Sequence, residues 1–294
     1  MAGSLRGPAK NRAFRCFFLF AGLLAGVLLS GSGVTRAADS ESISPDQQAA
    51  IDKVVRQFWP QRSGTTDLYF LGFGGDGQQR VFRREALLGE RIFGWRMGTA
   101  TRALQLINDR DDHESFPIAS TAGLRYALAR IGSAMDPKND VLVLWLTSHG
   151  GPATGLHVFN NEPRIDTDLA PADVRSALDA SGVQWRIVIV SACFAGIFIE
   201  PLKSDTTAII TAADSTHTSF GCADNRELTY FGEAFLRDAM PKATSLQAAF
   251  GQARKDIAER EAAERIMPSN PQMWVGASMA KKLTELGDFP LPAE

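Results

Sequence analysis

Two reactive side chains, His149 and Cys193, each follow a short apolar run that ends in a small polar residue. The first run, VLVLWLTSHG, occupies residues 141–150, and the second, WRIVIVSACFAG, occupies residues 185–196. Short runs of branched and aromatic residues without alternation are typical of strands buried on both faces of a parallel sheet. If the two strands are neighbours, imidazole and thiol leave the sheet at the same edge. The pair then predicts nucleophilic catalysis by a cysteine with a histidine as acid and base.

Small residues around the pair suit this chemistry. The backbone N–H of Gly150, together with that of Cys193, is expected to form an oxyanion hole. Ala195 and Gly196 leave room for a substrate backbone. A helix that begins just after Cys193 is expected to lower the pKa of the thiol, because a helix N-terminus carries partial positive charge.

Other chemistry has less support. A disulfide between Cys193 and Cys222 is the main alternative, and it would make the fold a non-catalytic binding module. The chain has no HExxH or CxxC spacing for a metal, and the HGG at residues 149–151 has no accompanying GxSxG. GFGGDG at residues 72–77 matches GxGxxG, but it begins inside the first predicted strand and does not follow it, as a dinucleotide site requires. We therefore expect no metal site and no cofactor. The remaining histidines are interpreted as loop residues: His113, His157 and His217.

Strands and helices alternate along the rest of the chain, with a polar excursion at residues 151–168 and a short strand or turn around Trp274. Strands are predicted at residues 67–73, 103–107, 141–147, 186–190 and 207–211. Helices are predicted at residues 44–59, 78–94, 120–135, 170–180, 227–240 and 245–265.

This alternation predicts an α/β fold with a mostly parallel, doubly wound sheet and helices on both faces. Ligands bind beyond the carboxyl ends of such strands, where the strand order switches. With a switch beside the third strand, the loop after the first strand, which holds Asp76, and the loop that holds Ser219 should both reach the crevice near Cys193.

The first 37 residues have the layout of a secretory signal peptide. Four cations precede an apolar run at residues 17–29, and small residues stand before a cleavage point after Ala37. Cleavage would leave a periplasmic or secreted protein. The alternative is an uncleaved anchor in the inner membrane formed by residues 16–34, whose length is close to that of a bilayer span.

Removal of the leader leaves 26 Lys+Arg against 33 Asp+Glu, a net charge near −7, because five cations and no acids depart. A net anion without a basic run is a poor ligand for nucleic acid, so no nucleic-acid partner is expected. The expected partner is a protein or peptide substrate. A membrane is a partner only if the leader is not cleaved.

The sequence resembles the legumain-type cysteine peptidases of the caspase-like superfamily, in particular their bacterial exported members. The same family includes the glycosylphosphatidylinositol transamidase catalytic subunit. The resemblance spans about residues 67–276 and rests on an ordered set of motifs: LTSHG at 146–150, SAC at 191–193, TSFGC at 218–222 and TYFGEAF at 229–235.

The resemblance implies a caspase-like fold, with His149 as catalytic histidine and Cys193 as nucleophile. It also implies a specificity pocket near Ser219 and Glu233, and cleavage after Asn. The basic residue that legumains place after the first strand is absent here, and Phe194 follows the nucleophile where legumains carry polar residues.

Two acids in the pocket, Asp76 and Glu233, would also suit a Lys or Arg side chain through charge-assisted bonds. The sequence thus predicts a cysteine endopeptidase that forms an acyl-enzyme. A transamidase with the same acyl-enzyme is the alternative. The predicted organisation is a signal peptide (1–37), an N-terminal helical extension (38–66), a peptidase domain (67–280) and a C-terminal tail (281–294).

Overall fold

A six-stranded sheet forms the centre of the part of the chain that the structure, a computed structural model, describes: residues 42–112 and 114–287. Its strands are β1 (Leu68–Gly74), β2 (Ala103–Ile107), β3 (Val141–Thr147), β7 (Trp185–Ser191), β8 (Thr207–Thr211) and β9 (Gln272–Val275). The strand order is β2-β1-β3-β7-β8-β9, with every neighbouring pair parallel except β8 and β9.

The apolar runs form the buried middle of this sheet. Every residue of β3 is buried, and β7 is buried apart from Trp185. Both faces of these strands are covered, so their sequences carry no alternating polar positions. The predicted strands at 103–107, 141–147 and 207–211 are confirmed to the residue, and β1 and β7 differ from prediction by one residue at each end.

Helices pack on both faces of the sheet, and a separate core lies on each face. One core includes side chains from α1, α3 and α4, and the other includes side chains from α2, the π-helix and α6. The helices are α1 (Pro45–Val55), α2 (Arg80–Met97), α3 (Thr121–Ala134), α4 (Pro171–Ala180), α5 (Ile199–Leu202), the π-helix (Gly232–Ala239), α6 (Leu246–Glu264) and α7 (Ala277–Glu285).

Residues 151–168, predicted to be an irregular polar excursion, instead contain a small antiparallel sheet. Its strands are β4 (Gly150–Gly151), β5 (Gly155–Asn160) and β6 (Ile165–Leu169). Leu156, Val158, Ile165 and Leu169 join one of the cores, while His157 is half-buried and Asp166 and Asp168 are exposed. Buried and exposed positions do not alternate regularly in these short strands, so the sequence carried no period of two that would reveal them. His157, interpreted as a loop residue, therefore lies in a strand.

The strand order switches between β2 and β3, since β1 pairs with both. The loops that follow β1, β3 and β7 therefore border the crevice that this topology creates. Among the helices that the structure describes, none has the length and hydropathy needed to cross a membrane. The predicted signal peptide, the alternative anchor, His113 and the end of the predicted tail (288–294) lie outside the described residues.

Candidate active site

His149 and Cys193 follow the ends of two adjacent parallel strands. Thr147 at the end of β3 lies opposite Ser191 at the end of β7, and the Ser148 N–H donates to the Ser191 carbonyl at 3.3 Å. Each reactive side chain stands two residues beyond this register pair. Both line one small cavity at the carboxyl edge of the sheet.

Gly150 lets the two loops approach each other closely. A Cβ at this position would lie 2.0 Å from the Cys193 carbonyl oxygen and 3.2 Å from the Ala192 Cβ, so any side chain would push the loops apart. The predicted oxyanion residues Gly150 and Cys193 are thus in direct backbone proximity. The φ angle of Gly150 is not in the left-handed region, so backbone conformation does not require a glycine here. The close approach of the two loops does.

The imidazole of His149 is half-buried and lies against the ring of Phe82, edge to face, with 5.0 Å between centroids. Burial lowers the pKa of His149 below its ordinary value, because the charged form loses hydration. The negative charge of Asp76 opposes this lowering, and the positive charge of protonated His157 adds to it. Within residues 42–112 and 114–287, neither ring nitrogen makes a hydrogen bond. The lowered pKa therefore favours the neutral form of the imidazole.

The Cys193 thiol donates to the Ser219 carbonyl oxygen at 3.3 Å. Burial raises its pKa, and the Ser219 contact only partly opposes this. The predicted lowering by a helix N-terminus is wrong. The backbone after Cys193 passes through a left-handed Phe194 (φ 55°) into a 3-10 turn, Ala195–Phe198, and the single-turn helix α5, which is too short to act as a substantial dipole.

Cys193 and Cys222 are both free thiols and both line the cavity. The disulfide proposed as an alternative is therefore not formed. The two sulfurs are close enough for Cys222 to raise the pKa of Cys193 slightly, after the larger effect of burial.

Asp76 does not line the cavity beside Cys193, and its carboxylate is already engaged. Oδ2 lies 2.9 Å from His157 Nδ1, and Oδ1 accepts the Gln78 N–H at 2.7 Å. The other ring nitrogen of His157 lies 3.3 Å from Asp166 Oδ1. Burial lowers the pKa of His157, but the bonds to these two carboxylates outweigh it and raise the pKa overall. Asp76 thus offers a substrate little free negative charge.

Of the other two predicted substrate-binding residues, the structure brings one to the cavity. Ser219 lines it, whereas Glu233 does not. Glu233 lies on the π-helix and is neutralised by arginines: Oε1 accepts from Arg226 at 2.9 Å, and Oε2 accepts from Arg260 on α6 at 2.5 Å. The prediction that Glu233 lines the pocket is corrected, because the residue turns toward α6 and away from Cys193.

Neutral groups therefore line the cavity. Hydroxyls come from Ser148, Ser191, Ser219 and Thr229, and the rings of Phe82 and Phe220 close its sides. Among the residues described, no group of three or more His, Cys, Asp or Glu side chains is placed to hold a metal ion.

Sequence reasoning missed Glu85, a fully buried acid on α2 next to the cavity wall. Its carboxylate oxygens accept from the hydroxyls of Thr147 and Thr229, the latter at 2.5 Å. A signal was present in the sequence. Glu85 lies among the apolar positions of α2 that recur at helical spacing, Phe82, Ala86, Gly89 and Phe93, and an acid on such a face calls for a buried partner.

The fold is α/β, and its central, mostly parallel sheet carries a cysteine and a histidine just beyond adjacent strand ends. The model of the peptidase C13 family matches residues 125–281, which is more than half of the chain, and the chain belongs to this family. The predicted legumain-type family is thereby confirmed. So is the predicted fold class, α/β with a mostly parallel sheet and helices on both faces.

A solved structure with similarity to this chain is a secreted C11 cysteine protease from Bacteroides thetaiotaomicron in complex with an irreversible peptide inhibitor. The TM-score is 0.42 at 14% sequence identity, over 67% of this chain. The aligned part spans 60% of that protease. No curated protein matches this chain significantly.

Proposed function

We propose that this protein is a cysteine endopeptidase that cleaves its substrate through an acyl-enzyme on Cys193, with His149 as acid and base. The observation that carries the proposal is the placement of both side chains just beyond adjacent strand ends, on one cavity. Membership of a peptidase family supports the reaction class.

The mechanism follows from two neutral partners. Because burial raises the pKa of the thiol and lowers that of the imidazole, the resting site holds a thiol and a neutral base. His149 takes the thiol proton as sulfur attacks the peptide carbonyl carbon. It then gives the proton to the departing amine, which leaves a thioester on Cys193. Water, activated by His149, hydrolyses the thioester and restores the thiol.

The carbonyl oxygen becomes negative during both attacks. The backbone N–H groups of Gly150 and Cys193 are proposed to stabilise it, as backbone donors do in oxyanion holes. Their placement depends on the close contact between the two loops that Gly150 permits. Removing one such donor typically costs about 10²–10³ in kcat.

The cavity favours a neutral amide side chain before the cut. The two acids that would have recruited Lys or Arg are neutralised, Asp76 by His157 and Glu233 by Arg226 and Arg260. The hydroxyl group of Ser219, which lines the cavity, can exchange hydrogen bonds with the amide of Asn. Asn is therefore the proposed preference over a basic residue.

Resolution by water is proposed over resolution by an amine, because the family is one of peptidases. Export to the periplasm or beyond remains part of the proposal and rests on the leader-like residues 1–37. The non-catalytic alternative loses its main support, since both thiols are free.

Iodoacetamide labelling of the mature protein tests the proposal, with Cys222→Ala as the matched control. We expect Cys193 to be labelled faster than Cys222, and His149→Ala to slow labelling of Cys193 at neutral pH. We further expect peptide cleavage to fall by about 10³-fold or more in Cys193→Ala and to persist in Cys222→Ala. Equal, slow labelling of the two thiols together with cleavage that survives in Cys193→Ala would refute the mechanism.

A further inference from the structure

Glu85 lies under the candidate active site and plays no part in the mechanism above. Its side chain is fully buried on the face of α2 that packs on the sheet. One oxygen forms a hydrogen bond with the Thr147 hydroxyl at the end of β3, and the other accepts from Thr229. Ser191 at the end of β7 joins this group through Thr229, with 3.4 Å between the two hydroxyl oxygens. Three separate chain segments thus meet at one carboxyl group.

The backbone at the start of the π-helix packs closely against this carboxyl group. The Thr229 hydroxyl, which donates to Glu85, accepts the Gly232 N–H at 2.9 Å. A Cβ on Gly232 would lie 2.0 Å from the Glu85 Oε1, so the π-helix can begin here only with a glycine. An acid enclosed this closely cannot be reached by water, and its hydrogen bonds must come from the protein.

The segments that Glu85 joins are the walls of the cavity. His149 stands two residues after Thr147, and Cys193 stands two residues after Ser191. Thr229 leads into Tyr230, whose N–H donates to the Phe220 carbonyl at 3.0 Å in the loop that also holds Ser219. The nucleophile, the base and the pocket loop therefore share a single support.

Within the described residues, the hydrogen bonds of the Glu85 carboxyl group involve the hydroxyls of Thr147 and Thr229, and none involves Lys, Arg or His. Cys222 is a titratable neighbour, and burial chiefly raises the pKa of that thiol, with a smaller rise from Asp76. Burial without a cation raises the pKa of Glu85 itself, so the carboxyl is held as the neutral acid.

We propose that Glu85 is a positioning residue that, as a neutral carboxylic acid, holds the ends of β3 and β7 and the Thr229 segment in the arrangement that brings His149 and Cys193 together. The proposal rests on the proposed function for its kinetic consequence. In a neutral carboxylic acid, one oxygen carries the proton and donates a hydrogen bond, while the other oxygen accepts one. A glutamine side chain has the same shape and the same capacity, whereas alanine removes every link.

The test compares Glu85→Gln, Glu85→Ala and the control Glu90→Ala, a substitution on the same helix that removes a bond to Gln105. We expect Glu85→Gln to keep kcat within about threefold of the parent and Glu85→Ala to lower kcat by roughly 100-fold with little change in KM, as for misplacement of the reacting groups. Glu90→Ala should keep the parent kcat. All assays are run where circular dichroism shows each variant folded.

Two outcomes overturn the proposal: parental kcat in Glu85→Ala, or equal damage in Glu85→Gln and Glu85→Ala, which would mean that the charged form is needed. If Glu85→Ala does not fold, Thr229→Val removes one of the hydroxyl links and provides the same test. We expect a drop in kcat in this variant, and an unchanged kcat would refute the proposal. Iodoacetamide labelling of Cys193 is measured in parallel. Absence of cleavage by the parent refutes the peptidase assignment, whereas labelling of Cys193 that is unchanged in Glu85→Ala or Thr229→Val refutes the role of Glu85.

Discussion

Asp76 and His157 form an ion pair, with 2.9 Å between Oδ2 and Nδ1, directly beside the candidate base His149. The pair joins the loop after β1 to β5, two segments that also meet in a backbone bridge between Asp76 and Phe159. Its two charges act on His149 in opposite directions, since the carboxylate raises the pKa of His149 and the imidazolium lowers it. The pair therefore adjusts the pH at which the base is available.

Replacement of His157 should move the acidic limb of the pH–rate profile. His157→Gln removes the positive charge and leaves Asp76 unpaired, and both effects raise the pKa of His149. The limb in kcat/KM, which we expect below pH 6.5 in the parent because burial lowers that pKa, should shift to higher pH. A profile recorded from pH 4 to 9 with a peptide substrate measures this. An unchanged limb, or a shift to lower pH, would contradict the assignment of His149 as the base.

Gly150→Ala should inactivate the protein without unfolding it. The new Cβ would lie 2.0 Å from the Cys193 carbonyl oxygen, so the oxyanion donors must separate. We expect a loss of about 10²-fold or more in kcat and a destabilisation of about 1–3 kcal/mol, as for other overpacked sites. Urea unfolding and peptide cleavage measure the two effects.

The control for this substitution is Gly251→Ala on α6, where nothing lies within 4 Å of the added Cβ. It should keep full activity and stabilise the protein by about 1 kcal/mol, because alanine is the better helix former. Full activity in Gly150→Ala would show that the contact between the loops has no role in catalysis.

Cleavage should be more frequent after Asn than after Lys or Arg. The reason is the neutral lining of the cavity, in which both predicted acids are paired with cations. A peptide library randomised at the position before the cut gives the preference directly. A preference for Lys or Arg would mean that Asp76 leaves His157 and pairs with the basic side chain of the substrate. If none of the three residues is selected, the cavity does not determine the specificity.

Glu85 should make stability fall as pH rises. Its pKa is raised in the folded protein, so below about pH 4.5 both folded and unfolded states hold the proton and its full contribution is present. Above that pH only the folded state holds it, and the free energy of unfolding should decline by about 1.4 kcal/mol per pH unit until the folded pKa is reached. Urea unfolding of the parent and of Glu85→Gln between pH 5 and 7 isolates this slope, which the variant should lack. Parallel pH profiles for the two proteins would show that Glu85 is ionised in the fold.

The sequence allowed the sheet and the reactive pair to be predicted because both depend on local signals. The run from Val141 to Thr147 is apolar throughout, and only a strand with both faces covered accommodates it at that length. His149 and Cys193 follow two such runs, so neighbouring strands were enough to bring them to one edge.

The partners of charged side chains were beyond the reach of sequence reasoning. Glu233 finds Arg260 at a separation of 27 residues, and Asp76 finds His157 at 81, and neither spacing carries a periodic signal. The prediction that the pKa of Cys193 is lowered was wrong for a related reason. The sequence indicated a helix after Cys193, but it did not indicate that this helix has a single turn.

The protonated state of the resting Cys193 bears on its survival between catalytic cycles. Thiolates, far more than thiols, react with peroxides and disulfides, so a cysteine whose thiol form is favoured by burial is oxidised slowly. In the proposed mechanism, His149 removes the thiol proton only as the sulfur attacks the carbonyl carbon of a bound substrate. The reactive thiolate is therefore formed only when a substrate is present. In oxidising surroundings, of the kind predicted for this chain, such a site remains chemically intact while it waits for substrate.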